Sequence, residues 1–271
     1  MSILDAIVLG LVQGLTEFLP VSSSGHLVLV EHLLNVPTST DITFEIFVHF
    51  GTLVSILLVF WHDVVKIATS VVKGSAHPSR WKEQYVNDEY FRLGMLMLIG
   101  SMPAAYVGLT YEDELTQAFA DPKLVAVMLV ITGLLLFLTR LAKPKEGKQI
   151  GVITAFIIGM AQAAAITPGI SRSGSTISSA MYLGIPPVQA ARFSFLLSLP
   201  AVAGATLLKT VEMVRAGFIH AEVLQIIVGT VIAFGSGYMA IKFLLRILER
   251  GQISWFALYC LVAGILGILF I

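Results

Sequence analysis

Charge is scarce in this chain. Asp, Glu, Lys and Arg together make up 13% of its 271 residues, about half the share of a soluble domain. An ordinary soluble globule is therefore excluded. Formal net charge is zero, which leaves no broad basic surface and argues against nucleic-acid binding. Cysteine is nearly absent: Cys260 alone rules out an internal disulfide and any multi-cysteine metal site. No His-Glu-x-x-His pattern and no Gly-x-x-x-x-Gly-Lys loop occur, so neither a zinc hydrolase nor a nucleotide phosphate loop is indicated. No basic segment and no small-residue cleavage site precede the first apolar run, which is read as mature protein and not as a signal peptide.

What the chain has instead is apolar sequence in blocks. The hydrophobic share is 56% and the mean hydropathy +0.88. Six blocks reach the roughly 20 residues that a membrane-spanning helix needs: 43–61, 91–111, 124–141, 190–208, 223–242 and 253–271. Two other apolar regions are interrupted. Region 1–35 breaks at Leu19-Pro20-Val21-Ser22-Ser23-Ser24-Gly25, and region 150–186 at Thr167-Pro168-Gly169-Ile170-Ser171-Arg172-Ser173-Gly174. The pieces that follow, His26–Val36 and Ser175–Ile185, cover about half the hydrocarbon thickness at 1.5 Å per residue. Irregular backbone at membrane depth is tolerated only inside protein or beside a wet cavity. Both regions are expected to be re-entrant helix pairs.

The breaks resemble each other. At an offset of 149, Gly10 falls on Gly159, Gln13 on Gln162, Ser22 on Ser171, Ser24 on Ser173 and Gly25 on Gly174. The order of elements matches as well, with a re-entrant pair and then three spans in 1–141 and again in 150–271. Three spans is an odd number, so the second half enters the membrane from the other side. The expectation is an all-α integral membrane protein, one membrane domain built as an inverted-topology repeat with two broken-helix tips near the midplane. Twelve Lys and Arg residues fall in loop 62–92, linker 140–149 and the last loop, against Lys123, Lys209 and Arg215 opposite. The rich side is expected to be cytoplasmic.

Ionisable groups inside apolar segments point to function. Glu17 lies one helical turn after Gln13, immediately before the first break; the bland alternative is a carboxylate reaching interfacial water. One serine of Ser22-Ser23-Ser24 serves as an N-cap. Three of them beside His26 and a carboxylate exceed what capping needs, and a helix N-terminus attracts phosphate. Arg172 in the second break requires an anion or a carboxylate; its fork matches phosphate oxygens, and a structural ion pair with Glu17 is the plainer alternative. Gln162 reads as an orienting or packing amide, and His49 as equally a packing or a ligand-contact residue. Glu45 reads as interfacial, Arg192 as a snorkelling arginine, and Asp88 to Arg92 and Lys143–Lys148 as solvated faces.

The run from Gln13 to His26 resembles the first signature of the bacterial undecaprenyl-diphosphate phosphatases, the bacitracin-resistance family. Pro168 to Ile177 resembles its second, and Arg192-Phe193-Ser194-Phe195-Leu196-Leu197 with Pro200 is similar too. The resemblance covers nearly the whole chain. It implies a phosphatase of the bacterial cytoplasmic (inner) membrane, acting on its outer face, that converts undecaprenyl diphosphate to undecaprenyl phosphate and phosphate. Such an enzyme recycles the cell-wall lipid carrier and confers bacitracin resistance; a homodimer is compatible with the family. The resemblance also implies a divalent cation, Mg2+ or Ca2+. The family's acidic pair falls on Gln13 and Glu17 as metal ligands; with glutamine at 13, Glu17 carries the essential charge. It assigns catalysis to Glu17, Ser23, His26 and Arg172, and substrate binding to Ser22, Ser24, Gly25, Ser171, Ser173, Gly174 and Thr176. Ser23 is the preferred nucleophile with His26 as proton shuttle; attack by His26 or by metal-activated water stays open. A transporter or flippase for an anionic lipid headgroup is the competing class. A purely structural scaffold leaves Glu17, His26 and Arg172 unexplained.

Overall fold

Uninterrupted apolar sequence gives helices, and the described residues are mostly helical, with no strand among them. The computed structural model describes residues 1–34, 42–216 and 223–270. The ends of the first broken region (35–36), the last residue of the final apolar block and the side chain of Lys209 lie outside the described residues.

Helices α1 (Ile3–Phe18) and α2 (Ser23–Leu34) flank the first break, and α9 (Val152–Ala164) and α10 (Arg172–Tyr182) the second. Between them run α3 (Ile42–Val59), α4 (Trp61–Ser75), α5 (Trp81–Asn87), α6 (Glu89–Thr110), α7 (Glu112–Phe119) and α8 (Pro122–Leu138). After them come α11 (Pro187–Ala216), α12 (Val223–Glu249) and α13 (Trp255–Phe270). Asp88 caps α6 and Asp121 caps α8, each accepting from two backbone amides of the first turn, and Pro122 occupies the first-turn position where its missing N–H costs nothing.

A helix lies at each of the six expected span positions, but they are not equal. Four are long and apolar enough to cross a membrane: α6, α8 with its following turn, α11 over Pro187–Leu208, and α12. Helix α3 joins them only together with α4, from which it is bent by 84° at Phe60. Helix α13 has 16 residues, roughly 24 Å against a hydrocarbon core of about 30 Å. The chain is thus a multi-pass helical membrane protein. Stretch 62–92, read from sequence as a loop, is mostly helical. Its α4 is amphipathic, and the Lys66 ammonium lies 4.9 Å from the centre of the Tyr90 ring on α6.

The two halves make matched contacts. Helix α1 packs on α12, and its counterpart α9 packs on α6. Gly10 on α1 meets the backbone of Gly229, and Gly159 on α9 meets the backbone of Gly100. A Cβ at Gly10 or Gly159 would collide with that facing backbone, at 2.6 Å from the Gly229 carbonyl oxygen and closer still to the Gly100 carbonyl oxygen. Small residues matter here because lipid tails are as apolar as side chains, so helices gain by close backbone approach. Gly159→Ala is expected to cost about 1–3 kcal/mol through overpacking, measured as a lower unfolding midpoint in mild detergent. An unchanged midpoint would show that α9 and α6 can separate freely.

Below the breaks the core is aromatic and aliphatic. Phe18 meets Phe195 edge to face at 5.7 Å between ring centres, and Phe60 lies 6.0 Å from the same ring. Helix α11 thereby supports both the end of α1 and the bend between α3 and α4.

Candidate active site

Pro20 ends α1, because proline offers no amide to continue the helix. Ser22 then turns the chain at φ 69°, a left-handed conformation that costs a serine roughly 1–3 kcal/mol. Its hydroxyl recovers part of that cost by accepting from the Gly25 amide at 3.2 Å, which starts α2. The second break closes the same way: the Ser171 hydroxyl accepts from the Gly174 amide at 3.0 Å and starts α10. Each capping serine also has a serine hydroxyl at 3.3 Å, Ser24 in the first loop and Ser173 in the second. The loops touch. The Ser173 hydroxyl donates to the Leu19 carbonyl at 3.1 Å, and Gly25 lies so close to Gly169 that a Cβ there would sit 3.2 Å from its Cα.

This contact brings Glu17 and Arg172 together as a largely buried ion pair, the alternative that the sequence left open. Glu17 is 9% exposed. Its other oxygen accepts from the Ser23 hydroxyl at 2.5 Å and from the Gln13 amide at 3.0 Å. One carboxylate thus orients a serine, an amide and a guanidinium. Arg172 opens α10, where the helix dipole disfavours a cation. Its place there makes sense only with anions in front of it. Glu17 meets one of its terminal nitrogens; the other, Nη1, is buried with no partner. The Gln13 Oε1 atom is likewise buried without a partner. Unsatisfied buried polar atoms each cost about 1–3 kcal/mol, and two of them beside one carboxylate mark a place shaped for a polar ligand. The two loops also carry the first amides of α2 and α10, which helix geometry leaves without intrahelical partners.

Other candidates stand elsewhere. The Thr176 hydroxyl is fully buried and donates to the Arg172 carbonyl at 2.8 Å, with Ser194 at 2.5 Å. It faces α11 and is not brought to the ion pair. His26 lies near the site without joining it. Its Nδ1 is 2.8 Å from the Ser22 carbonyl and its Nε2 is 2.7 Å from the Tyr259 hydroxyl; no hydrogen bond runs from it to Ser23 or Glu17. His49 binds the Glu45 carbonyl through Nδ1 at 2.8 Å, with no hydrogen bond from its other nitrogen to another described residue. Gln162 is 2% exposed and its whole amide lacks partners. Arg192, read as snorkelling, instead holds Asp63 through two bonds of 3.0 and 2.7 Å, with Glu89 at 3.6 Å, tying α11 to α4 and α6.

Sequence reading missed the residues that hold the loops from outside. The Thr132 hydroxyl on α8 donates to the Gly169 carbonyl at 2.9 Å and accepts from the Ser171 amide at 3.0 Å. On α13, Cys260 lies 3.7 Å from the Pro20 carbonyl, and Tyr259 meets His26. Each loop is held by the last helix of the other half. A threonine or tyrosine inside an apolar helix gives no signal of this, because the partner is more than thirty residues away in one case and more than two hundred in the other.

Over 265 residues the chain is 45% identical to a Salinibacter ruber protein named undecaprenyl-diphosphatase, covering 97% of each. It is 42% identical over 271 residues to a protein of the same name from Halothermothrix orenii, covering 99% of this chain and 98% of the other. A Desulfosudis oleivorans protein of that name is 42% identical over 269 residues, 96% of each chain. A family model described as bacitracin resistance protein BacA matches residues 6–266, and the chain belongs to that family.

Proposed function

We propose that this protein is an undecaprenyl-diphosphatase of the bacterial membrane, releasing phosphate from the lipid diphosphate at the Glu17–Arg172 junction and so regenerating the lipid carrier of cell-wall synthesis. The observation that carries this reading is Arg172: a buried guanidinium with one nitrogen on Glu17 and the other unused, next to a serine whose proton already points at that carboxylate. Ser23 attacks the terminal phosphorus as Glu17 takes its proton. The anhydride P–O bond breaks, lipid monophosphate leaves, and the phosphate stays on Ser23. Glu17 passes that proton to the departing lipid monophosphate; water then cleaves the phosphoserine, Glu17 taking the water's proton and returning it to the Ser23 oxygen as inorganic phosphate departs. Arg172 and the first amides of α2 and α10 neutralise the phosphate oxygens. Gln13 fixes the second Glu17 oxygen, and Ser22, Ser24, Gly25, Ser171, Ser173 and Gly174 shape the backbone around the headgroup. The matched contacts of the two halves support an inverted repeat, with the second half entering the membrane from the opposite side and the site open to the outer face.

The divalent cation expected from the family meets a limited donor set. Among the described residues no three His, Cys, Asp or Glu side chains cluster. Glu17 and the unpartnered Gln13 Oε1 suit an ion that arrives with the diphosphate, since Mg2+ is commonly held by one or two carboxylates plus substrate phosphates. Such an ion would add to the neutralisation of phosphate charge. Purified protein in detergent, with no membrane gradient, is expected to release phosphate from undecaprenyl diphosphate; headgroup binding without release would favour a transporter. A chelator is expected to lower that release while leaving the unfolding midpoint in place, because no protein-only cage would be emptied. A chelator that instead unfolds the protein would indicate a resident structural metal.

A further inference from the structure

A residue on the last helix bears on the first loop through a histidine. The Ser22 carbonyl is an acceptor only, so the His26 Nδ1 atom, 2.8 Å away, carries the proton and donates it. In the neutral ring Nε2 is then bare, and the Tyr259 hydroxyl at 2.7 Å donates to it. The two rings also stack, with 5.5 Å between centres and 9° between planes. Both nitrogens of His26 are therefore engaged, and neither is turned to Ser23, whose hydroxyl goes to Glu17. The atom that His26 does hold belongs to Ser22, the only non-glycine among the described residues with positive φ. That strained residue directly precedes Ser23 and sets where its hydroxyl points.

We propose that Tyr259 is a positioning residue for phosphoryl transfer. Its hydroxyl and ring fix His26 in one tautomer and one orientation, His26 holds Ser22 in the left-handed turn, and the turn presents Ser23 to Glu17. His26 on this account is a strut and not a proton shuttle. Tyr259 is half exposed. The inference rests on the Ser23–Glu17 reading above.

The test is a double-mutant cycle with Tyr259→Phe, which keeps the ring stack and removes the hydroxyl, and His26→Ala. Tyr259→Phe is expected to lower kcat about ten-fold, the effect of one lost hydrogen bond, with KM for the lipid diphosphate unchanged. His26→Ala is expected to lower kcat about a hundred-fold, as small misplacements of a reacting group do. In the His26→Ala background the second change should alter kcat by about two-fold or less, because both act through the same strut. Additive effects would overturn the proposal. They would also expose a simple folding defect, which would persist in either background. A rise in KM with kcat unchanged would overturn it too, placing Tyr259 on the lipid instead. Ser23→Ala separates the levels: if it keeps turnover, the serine reading itself fails. If it is inactive while Tyr259→Phe matches wild type, only the strut fails.

Discussion

Glu17→Gln is expected to lower kcat by about a thousand-fold, within the 10²–10⁴ range of a lost general base. The change preserves shape and keeps one acceptor oxygen, so Ser23 and Gln13 retain partners of a kind. What disappears is the charge. An amide cannot take the Ser23 proton, and it cannot balance Arg172. A buried guanidinium stripped of its carboxylate is destabilising by about 3–5 kcal/mol, so the same variant should unfold earlier in detergent. Added phosphate should restore part of the midpoint, because Arg172 then has an anion again. The combination is diagnostic: lost turnover together with phosphate-dependent recovery of stability. Phosphate release within ten-fold of wild type would mean that some other group accepts the proton, and His49, whose second ring nitrogen bonds no other described residue, would be the first to examine.

The sequence announced the centre of this site better than its surroundings. Glu17 and Arg172 stand out because charge inside apolar sequence is costly, and the repeated serine-glycine breaks mark where two short helices begin. The matched caps of Ser22 and Ser171 follow from that repetition. Spacing alone does not tell which side of a short helix faces a neighbour, and the Thr176 hydroxyl is engaged by the Arg172 carbonyl and by Ser194. His26 was assigned a shuttling role from its closeness in sequence to Ser23. The fold gives its nitrogens other partners, one of them 233 residues away. The bend at Phe60 was invisible for a different reason. Apolar composition continues through Trp61, and only the lysine-bearing face of α4 shows that the helix has turned aside.

Arg172→Lys should reduce kcat by about 10²–10³-fold, the usual loss when one preorganised donor to a developing oxyanion is removed. Lysine keeps the charge and loses the fork. Arginine reaches Glu17 with one terminal nitrogen while Nη1 stays available in the same plane. A single ammonium must choose between the carboxylate and the phosphate. Pairing with Glu17 preserves the resting protein, so membrane insertion and the unfolding midpoint should stay near wild type. The phosphate then approaches without its main counter-charge, and KM should rise as kcat falls. Arg192→Lys is the matching control. Arg192 also makes a forked pair, with Asp63, but its side chain is 36% exposed and it ties helices together away from Ser23. Solvent screening limits such a pair to about 1 kcal/mol or less, so its loss should trim stability slightly and leave kcat alone. Equal effects of the two substitutions on phosphate release would mean that Arg172 acts as a brace between loops and not on the phosphate.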